Sequence, residues 1–562
     1  MATASGAIAS AAPSEIPPPG TPYIPPQCYT KTKDADGRVH NPCFTCHVET
    51  APPNYIGDEA LQLAYSFGPP ARVNPWTNLF VNRTAAVDAI SDAEISTYVR
   101  RDNYHGSAGV PGLAARLEAS ASKWDRDGDG RWSGWLPDVA FELDDAGFDR
   151  TREGSYTGWR AYSYFPVPGG FWPTNGSFGD AMIRLPAAFR EDAPGHFDRR
   201  VYAVNLAILE ALIVRRDVAI DAVDERTLGQ DLDGNGAMGE ARLVKYRWKP
   251  GGGGMSWVGQ AAALQAQGKV WLLPGLFPEG TEIAHSLRYL DVEDGHVRPA
   301  ARMKELRYMV KTRFMTYGEL ERQAIREATE KASSPRKRRL MLGSSERGIG
   351  NESGWRLQGF IEDAEGELRP QTLEEHAFCI GCHSGVGVTD DSVFSFGRKL
   401  TADAFQRGWF HPSQRGLAGV AEPTRADGRG EYTHYLEANG AGDELRANDE
   451  VQARFFEATG KVKPEMAARV KADVTALLIP SAERALRLDK AYRVIVREQS
   501  FAHGRDATVT PAVNVHRELP EDEELATGVE EAVLDRRRTN PTNQPAQAAA
   551  RAGRTASKSR AP

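Results

Sequence analysis

Two short cysteine-histidine motifs, far apart in the sequence, constrain this chain more than any other feature. The first motif comprises Cys43, Cys46 and His47, and the second comprises Cys379, Cys382 and His383. They use four of the five cysteines in a chain of 562 residues. With two residues between the cysteines, one short helical turn can present both sulfur atoms on the same side, with the next imidazole close by. The pattern therefore predicts a bound metal or cofactor at each motif.

The chemistry of the motif leaves three interpretations. A C-x-x-C pair can be half of a zinc site or a redox-active dithiol. The two halves of a zinc ribbon usually lie within a few tens of residues of each other, whereas most of this chain separates Cys43 from Cys379. C-x-x-C-H is also the attachment signature of c-type haem, in which both thiols form thioethers to the porphyrin and the histidine ligates the iron. The repeated histidine favours two covalent haem c groups.

An additional histidine extends both motifs. His40 and His376 each lie three residues before the first cysteine, so the repeated unit is H-x-x-C-x-x-C-H. Here the chain resembles c-type cytochromes, especially bis-histidine multihaem cytochromes in which the upstream imidazole ligates a neighbouring haem. The resemblance implies that His40 is the distal ligand of the haem on the second motif and that His376 serves the haem on the first. The alternative distal ligands are His285, His411 and His434.

Two acidic loops resemble the first half of an EF-hand calcium loop, D-x-D-x-[DN]-G. The candidate ligands of the first are Asp125, Asp127, Asp129, the Arg131 carbonyl and Ser133, and those of the second are Asp231, Asp233, Asn235, the Ala237 carbonyl and Glu240. The twelfth positions are Leu136 and Arg242 rather than the usual glutamate, and Asp138 or Glu142 are substitutes in the first loop. We expect a structural calcium ion in one or both loops, with a solvated turn as the alternative.

Charge, hydropathy and the resemblance limit which binding partners and which cellular compartment are expected for the protein. The net charge of −7 gives no reason to expect a nucleic-acid partner, and no run of 18 apolar residues predicts a membrane span. No signal peptide is evident in the sequence. Because the resemblance implies haem attachment outside the cytoplasm, we expect a periplasmic or extracellular protein. The remaining cysteine, Cys28, is expected to be buried and inert, with an intermolecular disulfide as the alternative.

The pattern of elements predicts an α+β fold with much irregular coil. We expect a disordered leader over residues 1–27, a first haem segment over 28–120, and an inserted, partly β module with both calcium loops over 121–300. A helical segment with the second haem then covers 301–510, and a disordered tail covers 511–562. In this arrangement the two haem segments form one haem core around the inserted module.

These features favour a function in electron transfer. The two H-x-x-C-x-x-C-H units supply enough imidazoles to occupy both axial positions of both haem irons. This suits a dihaem protein that passes electrons to or from a redox partner protein. The alternative is a dihaem redox enzyme that resembles peroxidases or haem-c oxygenases, with one open iron. No catalytic residue is assigned from the sequence.

Overall fold

The computed structural model describes most of the chain between residues 21 and 532. The described ranges are 17, 21–33, 35–48, 52–56, 58–65, 67–106, 111–119, 124–250, 253–334, 341–400, 408–425, 427–440, 448–519, 525–527, 529 and 532. Most of the expected leader and the end of the expected tail lie outside these residues. The α+β class predicted from the sequence is confirmed.

The strands of the described residues are mostly antiparallel neighbours in one large sheet. They are β1 (Thr32–Lys33), β2 (Val39–His40), β3 (Ala64–Tyr65), β4 (Phe148–Arg150), β5 (Tyr156–Tyr162), β6 (Phe178–Arg184), β7 (Val218–Asp224), β8 (Glu240–Val244), β9 (Glu282–Glu293), β10 (His296–Lys311), β11 (Gly343–Ser344), β12 (Gly348–Gly350), β13 (Trp355–Glu362), β14 (Leu368–Pro370) and β15 (Leu525–Ala526). The large sheet has nine strands in the order β11-β12-β13-β10-β9-β6-β5-β4, with β14 beside β13. Three two-stranded sheets pair β1 with β2, β3 with β15, and β7 with β8.

The hairpin of β9 and β10 forms the middle of the large sheet. Its turn is Asp294-Gly295, and the flanking Glu293 and His296 are paired. Both turn residues have positive φ, 50° for Asp294 and 77° for Gly295. A two-residue turn of this kind matches the right-handed twist of the strands, and Asp-Gly is one of its preferred sequences. The turn therefore sets the register of the two longest strands as far as Leu290 and Pro299, beyond which β-bulges shift it.

Short helices surround the sheet, together with three longer helices, of which one is largely buried, one half-buried and one largely exposed. The helices are α1 (Glu59–Leu63), α2 (Thr84–Asp88), α3 (Asp92–Arg100), α4 (Gly112–Ala119), α5 (Arg199–Val214), α6 (Glu225–Leu228), α7 (Gln260–Ala266), α8 (Tyr317–Ser333), α9 (Leu373–Ile380), α10 (Pro412–Arg415), α11 (Glu431–Asn439), α12 (Asp449–Phe455), α13 (Pro464–Ala472), α14 (Thr475–Leu478) and α15 (Ala482–Glu498). No helix of the described residues is long and apolar enough to cross a membrane.

Helix α5 lies at the centre of the largest hydrophobic cluster. It begins after Asp198, whose side chain accepts hydrogen bonds from the amides of Arg200 and Val201 and so caps the helix. Thirteen of its sixteen residues are buried, so it is apolar around most of its circumference. The apolar run of residues 201–214, broken by Asn205 and Glu210, predicts a buried helix, and this prediction is confirmed.

The domain boundaries predicted from the sequence need correction. The boundary at residue 300 falls inside β10, whose strand neighbours come from both sides of that boundary. The expected helical segment 301–510 also contributes β13 and the short strands β11, β12 and β14. The predicted inserted module is therefore not a separate unit. Sequence patterns mark strands, but strand pairing over long sequence separations depends on tertiary packing.

The tail predicted from residue 511 also begins too early. Ala512, Val515 and Leu519 are buried and pack in a cluster with Tyr29 and Trp76. The strand β15 pairs with β3. This part of the chain returns to the N-terminal region, so its few apolar residues are used as core even though its composition is polar.

Candidate functional site

The two cysteine-histidine motifs line one cavity. All six residues of the motifs contribute to its walls, and the cavity has a volume of about 280 Å³. The described residues thus bring together two segments that the sequence separates by most of its length. This juxtaposition is the arrangement expected for one shared core, and the fold creates it by packing the region after Cys382 against the region around Cys46.

Each motif forms the short helical turn that its spacing predicts. In the first, the amide of His47 donates to the carbonyl of Cys43 over 2.8 Å. In the second, which continues from the end of α9, the amide of His383 donates to the carbonyl of Cys379 over 2.9 Å. The same backbone hydrogen bond in both motifs places two sulfur atoms and one imidazole on the same side of a turn.

Three hydrogen bonds join the two motif regions directly. The Val388 amide donates to the Cys46 carbonyl over 3.0 Å. The Asn54 side-chain amide donates to the Val386 carbonyl over 2.8 Å, and the Gly387 amide donates to the carboxylate of Asp58. Asp58 is 4% exposed. Residues 384–388 are therefore held against the first motif region, and we call these three hydrogen bonds the clasp. Asp58 supplies its one charged group.

Both motif imidazoles have an oxygen beside Nδ1. Nδ1 of His383 lies 3.0 Å from the carbonyl oxygen of Ser392, and Nδ1 of His47 lies 3.2 Å from Oδ1 of Asp58. The His383 contact is a hydrogen bond, which favours a proton on Nδ1 and leaves Nε2 as the ligand atom, the arrangement found around metal-bound histidines. Nδ1 of His47 is close to the Asp58 carboxylate but has no hydrogen-bond partner among the described residues. Burial lowers the pKa of His383 to about 4, so its imidazole is neutral at pH 7, as a ligand must be.

The thiols are protonated rather than reactive. Burial raises the pKa of Cys382 to about 12 and raises that of Cys43 further. Redox-active dithiols instead depend on a lowered thiol pKa. The groups of His, Cys, Asp and Glu that could hold a metal ion among the described residues contain carboxylates and no cysteine. The raised pKa values of the thiols therefore give no support to a redox-active dithiol, and no zinc-type ligand group is present at the motifs among the described residues.

The large sheet forms the floor of the cavity. Tyr162, Ala181, His285 and Arg307 are successive partners across β5, β6, β9 and β10, and all four line the cavity. Directly opposed residues of an antiparallel sheet present their side chains on the same face. One row of the sheet thus places an imidazole and a guanidinium opposite the motifs.

Positive charge predominates in the cavity wall. Its cationic side chains are Lys304, Arg307, Arg398 and Arg505, and its carboxylates are Glu305 and Asp506. Arg398 pairs with Glu431 behind the wall, and Arg307 and Arg505 share Glu305. Carboxylates therefore already compensate part of this charge. The propionates of haem would be additional anionic partners for these cations.

The two upstream histidines, His40 and His376, do not line the cavity. Nδ1 of His40 lies 2.6 Å from the carbonyl oxygen of Thr527. Nε2 of His376 accepts a hydrogen bond of 2.9 Å from the amide of Gly359, which ties α9 to β13. The structure therefore gives no support to reciprocal ligation by these residues, and in it His376 holds the second motif against the sheet.

The alternative distal histidines occupy different surroundings. His285 lines the cavity and is 3.0 Å from the Tyr164 hydroxyl. His411 is buried, and its Nε2 lies 3.0 Å from Oδ1 of Asp180. The ring of His434 lies 5.4 Å from that of Phe44, which is inside the first motif. His285 is thus the alternative that the structure places in the cavity itself.

Cys28 lies at the wall of the same cavity. Burial and the neighbouring thiols raise its pKa well above the ordinary value, so the thiol is protonated and unreactive. Its side chain is partly accessible, because it faces the cavity rather than the packed core. Inertness was expected from the sequence, but the position beside the motifs was not.

In the first acidic loop a distant glutamate lies beside the aspartates. Carboxylate oxygens of Asp125, Asp127 and Glu346 lie within 4.8 Å of one another. Glu346 is buried and accepts hydrogen bonds from the amide and hydroxyl of Ser133. Arg347 pairs with Asp127 over 2.7 Å and balances part of this charge.

Asp138, one of the two carboxylates proposed to replace the glutamate at the twelfth position, makes its contacts outside this cluster. Asp138 pairs with Arg184 and accepts a hydrogen bond from the Trp159 indole. The positive φ of Gly130, 76°, permits the tight turn that the motif predicts.

The second loop repeats the arrangement with another buried glutamate. Glu225, Asp231 and Asp233 bring their carboxylates within 4.8 Å of one another. Glu225 precedes the loop and accepts hydrogen bonds from the amides of Leu232 and Gly239. Glu240, the carboxylate expected from the sequence, instead pairs with Arg242 on the surface. Both loops therefore complete their carboxylate sets with residues that the loop motif does not contain.

Comparison with known proteins identifies one broad match. A family model described as “:-like lipoprotein” matches residues 15–474, more than half of the chain. A relative from Aquifex aeolicus (strain VF5), named “Uncharacterized lipoprotein”, is 29% identical over 550 residues, with 86% of this chain and 85% of the relative covered. No solved structure matches. The chain belongs to this lipoprotein-like family.

Proposed function

We propose that the protein is an extracytoplasmic dihaem c-type cytochrome that transfers electrons to or from a redox partner protein. The two C-x-x-C-H motifs lining one cavity carry this proposal. Two covalent haems in a shared cavity would be close enough for direct electron exchange. Haem c would supply the redox chemistry, while the chain holds it through the four cysteines and the two motif histidines.

The surroundings of the motif histidines support the same role. The Nδ1 contacts of His47 and His383 orient both rings and leave Nε2 available. A carboxylate beside Nδ1 raises the basicity of an imidazole ligand, and a backbone carbonyl does so less. The two haems would therefore differ in reduction potential, with the lower potential at the motif that contains His47.

The number of imidazoles in the cavity favours a second candidate function. His47, His285 and His383 are the histidines that line the cavity among the described residues. If two serve as proximal ligands, one imidazole remains for two irons. One iron would then be open, or closed by another donor such as the Met309 thioether, which also lines the cavity. An open iron would make the protein a dihaem redox enzyme.

Calcium is proposed as a structural component at the two carboxylate clusters. Each cluster combines two loop aspartates with one buried glutamate, and oxygen ligands of this kind suit calcium. Arg347 and Arg247 pair with Asp127 and Asp231. A bound ion would have to displace or share these contacts, which implies weak affinity of the kind that extracellular calcium can satisfy.

The names of the relatives agree with the proposed compartment. The family model and the Aquifex aeolicus relative are both described as lipoproteins. A lipid anchor places a protein at a membrane surface without a spanning helix. We propose an extracytoplasmic location at the cell envelope, where c-type haem is attached.

The proposal is tested by mass spectrometry and absorption spectroscopy of the full chain produced with haem-attachment machinery. We expect the mass of two haems, and the loss of one when Cys379 and Cys382 are both replaced by serine. The double replacement Cys43→Ser and Cys46→Ser is the matched control and should remove the other haem. A protein without added haem mass would refute the proposal.

The reduced spectrum with carbon monoxide separates the two functions. No spectral change indicates two closed irons and electron transfer. A change that accounts for one of the two haems indicates an open iron and the enzyme alternative.

A further inference from the structure

Arg307 differs from the other cations of the cavity wall in what its terminal nitrogens contact. Lys304 donates to the Gly176 carbonyl, and Arg398 and Arg505 pair with Glu431 and Glu305 through their terminal nitrogens. Arg307 uses only Nε, which donates to Glu305 over 2.9 Å. Its Nη1 and Nη2 atoms have no hydrogen-bond partner among the described residues. Two adjacent donors of a guanidinium are therefore available.

Arg307 shares its carboxylate partner with a second arginine. Oε2 of Glu305 lies 2.9 Å from Nε of Arg307 and 2.8 Å from Nη1 of Arg505, so two guanidinium groups share one carboxylate. The two arginines hold the pKa of Glu305 at about 2, against the opposing effect of burial, so it is ionised at pH 7. An anion at the terminal nitrogens of Arg307 would be an additional partner for this pair of buried cations.

The guanidinium has a fixed setting. The Phe171 ring centre lies 5.0 Å from the guanidinium carbon of Arg307, and the Phe378 ring centre lies 5.8 Å from it. Aromatic rings at these distances attract the cation and limit its movement. The planar group is thus held in place, and a preorganised fork loses little entropy when it binds an oxyanion in a bidentate manner.

Two further polar groups lie next to this fork. His285 is opposite Arg307 in the register of β9 and β10, and its Nε2 is 3.0 Å from the Tyr164 hydroxyl. Burial and the charge of Arg307 lower the pKa of His285 to about 3, so it is neutral at pH 7 and does not add to the charge. A neutral imidazole and a phenol can donate or accept one hydrogen bond each.

We infer that Arg307, His285 and Tyr164 form a binding site for a small inorganic oxyanion inside the cavity, and this inference rests on the proposed function. The positive charge selects an anion, and the fork selects two coplanar oxygens. The site uses His285 to bind the anion, so it applies to the arrangement in which His285 does not ligate an iron.

A haem propionate offers the same carboxylate chemistry as a free oxyanion, so the two sources must be distinguished. The charge of Arg307 acts on both thiols of the second motif. Arg307 is therefore near the cysteines that would anchor the haem of the second motif. A propionate of either haem and a free oxyanion would bind the same guanidinium, and titration with nitrite distinguishes them.

The test is a titration of the oxidised full-length holoprotein with nitrite, followed by haem absorbance and, independently of the haem signal, by calorimetry. We expect saturable binding, weakened about 10- to 100-fold in Arg307→Gln because a bidentate charged hydrogen bond is lost. Arg307→Lys keeps the charge without the fork and should be intermediate. Arg298→Gln is the matched control, because Arg298 is on the same strand but half-exposed at the surface, and it should bind as the wild type.

Two outcomes would overturn the inference. Either the holoprotein does not bind nitrite, or Arg307→Gln binds it as tightly as the wild type. If the wild type binds no nitrite and Arg307→Gln shifts the haem reduction potential, Arg307 is assigned to a propionate. If two haem masses are present in any of these cases, the proposed function stands and only the oxyanion site fails. Missing haem mass refutes the proposed function instead, and calorimetry still reports on Arg307.

Discussion

Replacement of Asp58 tests whether the clasp between the two motifs stabilises the fold. The Asp58 carboxylate accepts the Gly387 amide and lies beside Nδ1 of His47. Asp58→Ala removes a hydrogen bond to a charged acceptor, which contributes about 1.5–3 kcal/mol. The buried Gly387 amide then lacks its acceptor, and this cost is already contained in that range. We therefore expect the free energy of unfolding to fall by about 2–3 kcal/mol.

Asp58→Asn refines this test because asparagine keeps an oxygen that can accept the Gly387 amide. Only the charge is lost, and we expect a decrease of about 1–2 kcal/mol. Glu59→Gln removes the same charge from the neighbouring residue and should change the stability by less than about 0.5 kcal/mol.

Urea denaturation of the full-length holoprotein, followed by circular dichroism and tryptophan fluorescence, measures these differences. From most to least stable, the expected order of the variants is Glu59→Gln, Asp58→Asn and Asp58→Ala. If Asp58→Ala unfolds at the same urea concentration as Glu59→Gln, the clasp contributes nothing and the reasoning is wrong.

Three further predictions concern the metal clusters, the sheet and a buried acid. Glu346→Gln and Glu225→Gln should each reduce the decrease in melting temperature that a calcium chelator causes in the wild type, and an unchanged response in both would rule out calcium at these clusters. Gly359→Ala should lower the free energy of unfolding by about 1–3 kcal/mol in urea denaturation, because the new Cβ would lie 2.5 Å from the side-chain carbon of Gln371; equal stability would contradict the packing. Burial raises the pKa of Asp489 from 3.8 to about 8. The folded state therefore holds a proton that the unfolded state releases, so this residue's contribution to stability falls as the pH rises from about 4 to about 8, and Asp489→Asn should flatten the measured pH dependence.

The local features of the candidate site could be predicted from the sequence. The spacing of Cys43, Cys46 and His47 fixes a helical turn through backbone geometry alone, and the structure has that turn in both motifs. The apolar run of α5 likewise predicts a buried helix, because no solvent-facing stripe interrupts it. These predictions depend on residues that are close in sequence.

The surroundings of the candidate distal histidines could not be predicted in the same way. His376 is one helical turn before Cys379, but the element that packs against that side of α9 is β13, and sequence spacing does not reveal it. His285 is in a strand, and only the register of β9 with β10 and β6 shows that it faces the cavity.

The buried glutamates of the acidic loops were missed for a related reason. Glu346 belongs to the turn between β11 and β12, far from Asp125 in the sequence. In the first loop, the apolar Leu136 at the twelfth position indicated that a carboxylate ligand was missing from the loop. The sequence did not indicate which residue supplies it. The calcium-loop motif specifies only ligands within the loop, and the folded chain brings the additional glutamate to it from another segment.

The clasp between residues 384–388 and the first motif has a consequence for biogenesis. The walls around Cys43 are complete only when the region after His383 has been synthesised and has docked. The cysteines of both motifs then face a single cavity whose wall comes from the two ends of the chain. A complete cavity therefore exists only in a chain whose N-terminal and C-terminal regions are both folded, so a truncation on either side of the clasp would remove part of the wall around the other motif.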